Sequence, residues 1–131
     1  MRIGIVLYPT FGGSGVLATE LGKALSKIGH EVHFISYHQP ARLDFFMENI
    51  FFHEVIIPQY PLFEYAPYET ALAGKIVDIV KSAKLEVLHV HYAIPHASAA
   101  LLAKQILNEE NIHIPVVTTL HGTDITLVGR E

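Results

Sequence analysis

The sequence predicts an α/β fold, with a parallel sheet that carries helices on both faces. Segments with the apolar runs of strands alternate with segments of helical period along the chain. No internal repeat or low-complexity segment interrupts this alternation, and 131 residues are enough for one compact domain. Strands and helices alternating at this length are typical of a Rossmann-like sheet, whose ligands bind beyond the carboxyl ends of the strands.

The first strand–helix pair is predicted from an apolar run followed by a change of period. Residues 2–8 form the buried strand, and the helical period starts at Gly15. Gly29 stands where a helix terminator belongs. The apolar face predicted for this helix consists of Leu17, Leu21, Ala24, Leu25 and Ile28.

The later elements follow from the same signals. Pro58 stops one strand, the proline-containing stretch 59–67 indicates an irregular connection, and Pro95 suits the first turn of a helix. The remaining predicted strands are 31–36, 51–57, 86–92 and 115–120, and the remaining predicted helices are 68–84 and 95–109.

Composition narrows the class of protein. A formal net charge of −4 without a Lys/Arg cluster predicts no nucleic-acid partner. The absence of cysteine excludes disulfides, thiol catalysis and cysteine-ligated metals, and it fits a cytoplasmic location. We expect no membrane span, because no run approaches the ~20 apolar residues that one needs. Residues 126–131 resemble neither a finished helix nor a polar tail, so we expect a piece of a larger protein.

The glycine-rich stretch 12–15 between the first strand and the first helix predicts an anion site. Gly12, Gly13 and Gly15 allow a sharp turn and a close approach of the backbone to a ligand. The amide groups at the start of a helix favour a negative charge. A purely structural turn is the alternative interpretation of the same residues.

Two other binding folds share parts of this pattern. Residues 13–18 match the dinucleotide pattern G-x-G-x-x-G/A, but the second strand ends in Ser36-Tyr37-His38 rather than in the acidic residue that holds a ribose. A flavodoxin-like or receiver-type module also alternates strands with helices. A receiver needs clustered acidic residues after its first strand, where this chain has Tyr8-Pro9-Thr10.

Histidines and a tyrosine mark the ends of the fourth and fifth strands. His89 and His91 share one strand face and, with His96, could be metal ligands, but no carboxylate is close in sequence. We therefore predict buried, hydrogen-bonded histidines there, with Tyr92 reaching a ligand. His121 ends the fifth strand before a glycine, which predicts an exposed imidazole that serves as donor or base.

The motifs resemble the N-terminal domain of family 4 retaining glycosyltransferases. They are Gly-Gly-Ser-Gly at 12–15, His-Val-His-Tyr-Ala-Ile-Pro-His at 89–96 and Thr-Leu-His-Gly-Thr-Asp-Ile at 119–125. Such enzymes have the GT-B architecture, in which two Rossmann-like domains face each other across a cleft. The resemblance implies that residues 1–131 are the N-terminal acceptor domain, incomplete, and that the C-terminal donor-binding domain is not in this chain, which alone should be inactive.

The resemblance also implies substrates. The segment His-Tyr-Ala-Ile-Pro-His at 91–96 points to family members of bacillithiol biosynthesis. These transfer N-acetylglucosamine from UDP-N-acetylglucosamine to the hydroxyl of L-malate with retention. Another acceptor within the same family is the alternative. No cofactor and no metal are implied, and a homo-oligomer is possible.

Roles for individual residues come from the same resemblance. His121 is implied as the catalytic residue, beside the donor sugar. Gly12 and Gly13 would approach the donor diphosphate. Asp124 would support the site, or would instead cap the segment that follows it. The residues implied to bind the acceptor are Gly13, Ser14, Tyr92 and Thr119.

Overall fold

The computed structural model describes residues 1–9, 13–40, 48–57 and 67–122. Its strands are β1 (Arg2–Val6), β2 (Glu31–Ser36), β3 (Ile50–Glu54), β4 (Val87–His91) and β5 (Val116–Thr119). Its helices are α1 (Gly13–Lys27), α2 (Tyr68–Ala83) and α3 (Ala93–Glu109). Over these ranges, no helix is long and apolar enough to cross a membrane.

The strands form one parallel sheet in the order β3-β2-β1-β4-β5. The chain moves outwards from β1 to β3 and then returns to the other side of β1, where β4 pairs with it. The strand order therefore reverses between β1 and β4. In open parallel sheets, ligands bind in the crevice at such a reversal, beyond the carboxyl ends of the strands.

The predicted fold class and all eight predicted elements are confirmed, with small differences at their ends. β1 stops at Val6 rather than at Tyr8, and the hydrogen bond that follows, from Leu7 N–H to Ile35 O, is long at 3.4 Å. β3 begins at Ile50 and ends at Glu54, three residues before its predicted end. α3 spans Ala93–Glu109, but the backbone of Ile94 is non-helical (φ −115°, ψ 118°), so the regular helix begins at Pro95, as predicted.

Helices cover both faces of the sheet, as predicted. Alternate residues of β1 point to opposite sides: Ile3 and Ile5 pack on the α1 side, and Val6 packs on the side of α2 and α3. The predicted apolar face of α2 is buried on that second side through Leu72, Ile76 and other residues. Because β1 and β2 are buried on both faces, almost all of their residues are buried, whereas the edge strands β3 and β5 are partly exposed.

The predicted apolar face of α1 is wrong. Leu17, Leu21 and Ile28 are 56%, 36% and 73% exposed, Ala24 is exposed, and only Leu25 packs partly against the core. The buried residues of α1 are small: Gly15, Ala18, Thr19, Gly22 and Ser26.

The ring of Phe34 explains this inversion. A Cβ atom placed on Gly22 would lie 2.3 Å from Phe34 Cζ, so the ring occupies the space that a helix side chain would need. The large side chains of this interface belong to the sheet. The small residues of α1 let the helix backbone lie close to the sheet. This close approach fixes α1, whose N-terminus reaches the edge where the candidate site lies.

Candidate active site

A cluster of aromatic rings lies beyond the carboxyl ends of β1, β4 and β5. The ring of Tyr8 lies 5.4 Å from that of Tyr92 and 4.3 Å from that of His96, measured between centroids. Tyr92 is stacked on His121 at 6.5 Å. Because each ring follows a different strand or begins a helix, the parallel sheet brings together residues far apart in sequence. The carboxyl ends of β1, β4 and β5 thus bring their rings to one edge of the sheet, where ligands of such folds bind.

The start of α1 lies at the same edge of the sheet, after β1. Gly13 has φ +57°, a conformation that L side chains rarely adopt, and a Cβ added to it would meet no atom of the described residues within 4 Å, its chain neighbours apart. The first turn contains no acidic residue, and Ser14 is half-buried. No carboxylate in this turn therefore competes with a ligand for the backbone amides at the helix start. Gly12 lies outside the described residues.

Tyr92 occupies a strained backbone position at the junction of β4 and α3. Its φ is +73°, which costs a residue with a Cβ about 1–3 kcal/mol. Its N–H donates to Thr119 O at 3.1 Å, which extends the pairing of β4 with β5 by one residue. This strained turn directs the ring between Tyr8 and His121. Strain of this kind concentrates at functional sites.

The two histidines of β4 hydrogen-bond to residues at the end of β5. His89 Nε2 lies 2.6 Å from Thr119 Oγ1, and His91 Nδ1 lies 3.1 Å from His121 Nε2. His91 is buried and His89 is half-buried, so the prediction of hydrogen-bonded histidines is confirmed. Among the residues that the structure describes, no group of three or more potential ligands could hold a metal ion.

His96 links the end of β4 to α2. Its Nδ1–H donates to His91 O at 2.6 Å, because a carbonyl oxygen can only accept. Its Nε2 therefore accepts from the Tyr68 hydroxyl, at 2.9 Å. Burial lowers the pKa of His96 to about 4, and burial raises the pKa of Tyr68. Both groups are neutral at neutral pH and hold the backbone of His91 in place.

Burial also sets the charge of the β4 histidines. It lowers the pKa of His91 to about 3, with smaller contributions from the neighbouring histidines, His89 first. It lowers the pKa of His89 as well, assisted by His121. The edge of the sheet beside β4 therefore carries neutral imidazoles, which can donate and accept hydrogen bonds without attracting a counter-ion.

The end of β2 does not suit a nicotinamide cofactor. The Ser36 hydroxyl is fully buried and donates to Leu7 O at 2.9 Å. The ring of Tyr37, the next residue, packs edge-on against Tyr8 and Tyr68. The position that would bind a ribose hydroxyl in a dinucleotide fold is thus used for packing.

The predicted site residues divide into three groups. Thr119 and His121 hydrogen-bond to the β4 histidines, and Tyr92 stacks on His121. His121 is half-buried rather than exposed as predicted. Gly13 and Ser14 begin the helix after the neighbouring strand. Asp124, like Gly12, lies outside the described residues, so its role is a prediction only.

Sequence reasoning missed two members of the aromatic cluster. Tyr8 follows β1 directly, and its place at a strand end was a usable signal. Tyr68 gave no such signal, since it begins a helix 28 residues before its partner His96. Only the packing of α2 beside α3 brings these two side chains together.

The comparisons with known proteins found glycosyltransferases. The model of Glycosyltransferase Family 4 matches residues 11–130. The chain is 53% identical, over all of its 131 residues, to the N-acetyl-alpha-D-glucosaminyl L-malate synthase of Bacillus anthracis and covers 34% of that protein. It is 29% identical over 128 residues, 96% of the chain, to an uncharacterized glycosyltransferase of Methanocaldococcus jannaschii, of which it covers 33%. The chain thus spans about a third of the length of these curated relatives.

A solved structure has the same fold. The glycosyltransferase of Rickettsia africae superposes with a TM-score of 0.61 at 21% identity. The match covers 92% of this chain and 29% of that one. At this level of identity, the likeness concerns the fold alone.

Proposed function

Because the chain belongs to glycosyltransferase family 4, we propose that it forms the acceptor-binding part of an N-acetylglucosamine transferase that acts on L-malate. The donor would be UDP-N-acetylglucosamine, and the anomeric configuration would be retained. The observation that carries this choice of substrates is the 53% identity, over the whole chain, to an enzyme whose name states that product.

The roles proposed for the N-terminal and C-terminal domains follow from the length of the relatives. Residues 1–131 correspond to 34% of the Bacillus anthracis protein, so most of that enzyme lies beyond the region of similarity. We assign acceptor binding to this N-terminal domain and most of the nucleotide-sugar binding to a C-terminal domain of the whole enzyme. The 131-residue chain alone would not transfer sugar.

The start of α1 suits a dicarboxylate acceptor. Malate carries two negative charges at neutral pH, and helix amides with the positive end of the helix dipole stabilise an anion. Ser14 stands in this first turn and would donate its hydroxyl to one carboxylate. Gly13, with open space around it, would let the donor diphosphate approach the backbone, together with Gly12. Tyr92 and Thr119 would provide further acceptor contacts.

We propose that His121 lies next to the reacting atoms. In the proposed transfer, the malate hydroxyl oxygen bonds to the anomeric carbon, and the bond from that carbon to the diphosphate breaks with its electron pair going to the diphosphate. The hydroxyl proton passes to the departing diphosphate. His121 would hold a sugar hydroxyl or stabilise the positive charge that develops on the ring, because preorganised polar groups act where charge develops.

The second candidate function is a family 4 transferase with another acceptor. The aromatic ring cluster and the histidine contacts fit any small hydroxyl acceptor, whereas the choice of malate depends on the relative. Activity of the intact enzyme with L-malate, measured against other hydroxy acids and neutral hydroxyl compounds, separates the two candidates.

The acceptor site is tested by Ser14→Ala in the intact enzyme. Loss of a hydrogen bond to a charged group costs roughly 1.5–3 kcal/mol, so the KM for malate should rise about ten- to a hundredfold. Ser82→Ala, at an exposed position in α2, is the matched control and should leave the KM for malate unchanged. An unaltered KM and turnover in Ser14→Ala would remove the acceptor from the start of α1.

A further inference from the structure

We propose that His91 is a positioning residue that donates a hydrogen bond to His121 and thereby fixes the tautomer of that ring. The predicted tautomer is inferred from the contact between His91 and His121 and from the burial of His91 Nε2. Its effect on turnover rests on the proposed function, since it requires His121 to act on the sugar or the acceptor.

His91 is held rigidly enough for this role. It is 1% exposed, at the end of β4, and its Nδ1 lies 3.1 Å from His121 Nε2. Its carbonyl accepts from His96 Nδ1–H, and its ring lies 4.3 Å from the ring of His89. Backbone pairing with Thr119 ties this residue to the end of β5, two residues before His121.

The unpartnered nitrogen of His91 decides the direction of the hydrogen bond. A neutral imidazole carries one proton, on Nδ1 or on Nε2. His91 Nε2 is buried and has no hydrogen-bond partner within the described structure. A proton there would leave a buried donor unsatisfied, which is rarer and costlier than an acceptor without a partner. The proton therefore sits on Nδ1, and His91 Nδ1–H donates to His121 Nε2.

The consequence for His121 is a defined chemical role. Because its Nε2 accepts from His91, a neutral His121 carries its own proton on Nδ1. The lone pair of Nε2 is then occupied and cannot take a proton from a substrate hydroxyl. Through its Nδ1–H, His121 would donate a hydrogen bond to an oxygen of the sugar or acceptor rather than act as a base at Nε2.

Nuclear magnetic resonance of the intact protein, with ¹⁵N in histidine only, tests the tautomer directly. Couplings between ring nitrogens and ring protons distinguish the protonated nitrogen from the other one, and His121→Gln identifies the signals of His121 by their loss. We expect the proton on Nδ1 in the unsubstituted protein and a shift towards Nε2 in His91→Leu. A proton on Nε2 of His121 in the unsubstituted protein would overturn the proposal, even if His91→Leu failed to fold.

Kinetics of the intact enzyme test the positioning role. His91→Leu removes the donor, whereas His91→Asn keeps an amide N–H near the place of Nδ1. We expect kcat to fall about tenfold in His91→Leu and to recover largely in His91→Asn, with the KM for the nucleotide sugar changed less than about twofold. Equal losses in both variants would mean that His91 only fills space, and would refute the role.

A double substitution separates this proposal from the proposed function. In a His121→Gln background, His91→Leu should cause no further loss of turnover, because the residue through which it acts is gone. An additional tenfold loss would contradict the proposal. If the proton lies on Nδ1 of His121 but no sugar reaches malate, the assigned tautomer holds and the choice of acceptor is what fails.

Discussion

Gly22→Ala tests the close packing of α1 on the sheet. Replacement of a helix-interior glycine by alanine ordinarily stabilises a helix by up to about 1 kcal/mol. Here the new Cβ would lie 2.3 Å from Phe34 Cζ and 3.1 Å from Ile5 Cδ1. Carbon atoms pack at ~3.5–4.0 Å, so α1 must move outwards by about an ångström or the buried ring must leave its position.

Gly22→Ala should therefore destabilise the protein, whereas a glycine-to-alanine change inside a helix ordinarily stabilises it. Overpacking of a tight core costs ~1–3 kcal/mol, and the upper part of that range applies because Phe34 is fully buried. After subtraction of the gain in helix propensity, Gly22→Ala should lower the free energy of unfolding by roughly 2 kcal/mol. A displaced α1 would also misplace Gly13 and Ser14, so the KM for malate should rise in the intact enzyme.

Gly74→Ala is the matched control, in α2. This glycine is also inside a helix, but a Cβ on it would meet nothing within 4 Å. The control should therefore raise the free energy of unfolding by about 0.5–1 kcal/mol. Both values come from urea denaturation monitored by circular dichroism. If Gly22→Ala stabilised the protein as much as Gly74→Ala does, the packing of α1 against Phe34 would be refuted.

Three further predictions concern the site and its histidines. His121→Ala should lower the turnover of the intact enzyme about a hundredfold or more while nucleotide affinity barely changes; weakened folding with unchanged turnover would make His121 a core residue. Transfer activity should persist in the presence of a chelator of divalent ions. A loss of activity that one divalent ion then reverses would refute this prediction. Burial lowers the pKa of His53 and His96 to about 4 from 6.5, so the unfolded chain binds more protons between these values. The contribution of these histidines to the free energy of unfolding should therefore be fully present above pH 6.5 and be lost towards pH 4, and the fall should be less steep in His53→Gln.

Local signals in the sequence determined the architecture. The alternation of strand-like and helix-like segments fixed an α/β fold, because each period reflects which residues one element can bury. Gly29, with φ +101°, follows α1 as a terminator should. The period of two along β4 placed His89 and His91 on one face, which their contacts with Thr119 and His121 confirm.

Only the tertiary structure decided which face of α1 is buried. Periodicity ranked the leucines of that helix as core residues, but burial also depends on the partner surface. The ring of Phe34 leaves room for Gly22 and not for a leucine, so the apolar side chains turn outwards. Whether two surfaces fit together cannot be deduced from the hydrophobicity of either surface alone.

The pairing of site residues was likewise a tertiary outcome. The sequence placed Tyr92 and His121 at strand ends, since a parallel sheet brings those ends to one edge. It did not reveal that His91 contacts His121 or that Tyr68 contacts His96, because both contacts depend on neighbouring elements that are about 30 residues apart. Such contacts follow from strand order and helix packing, which no local pattern encodes.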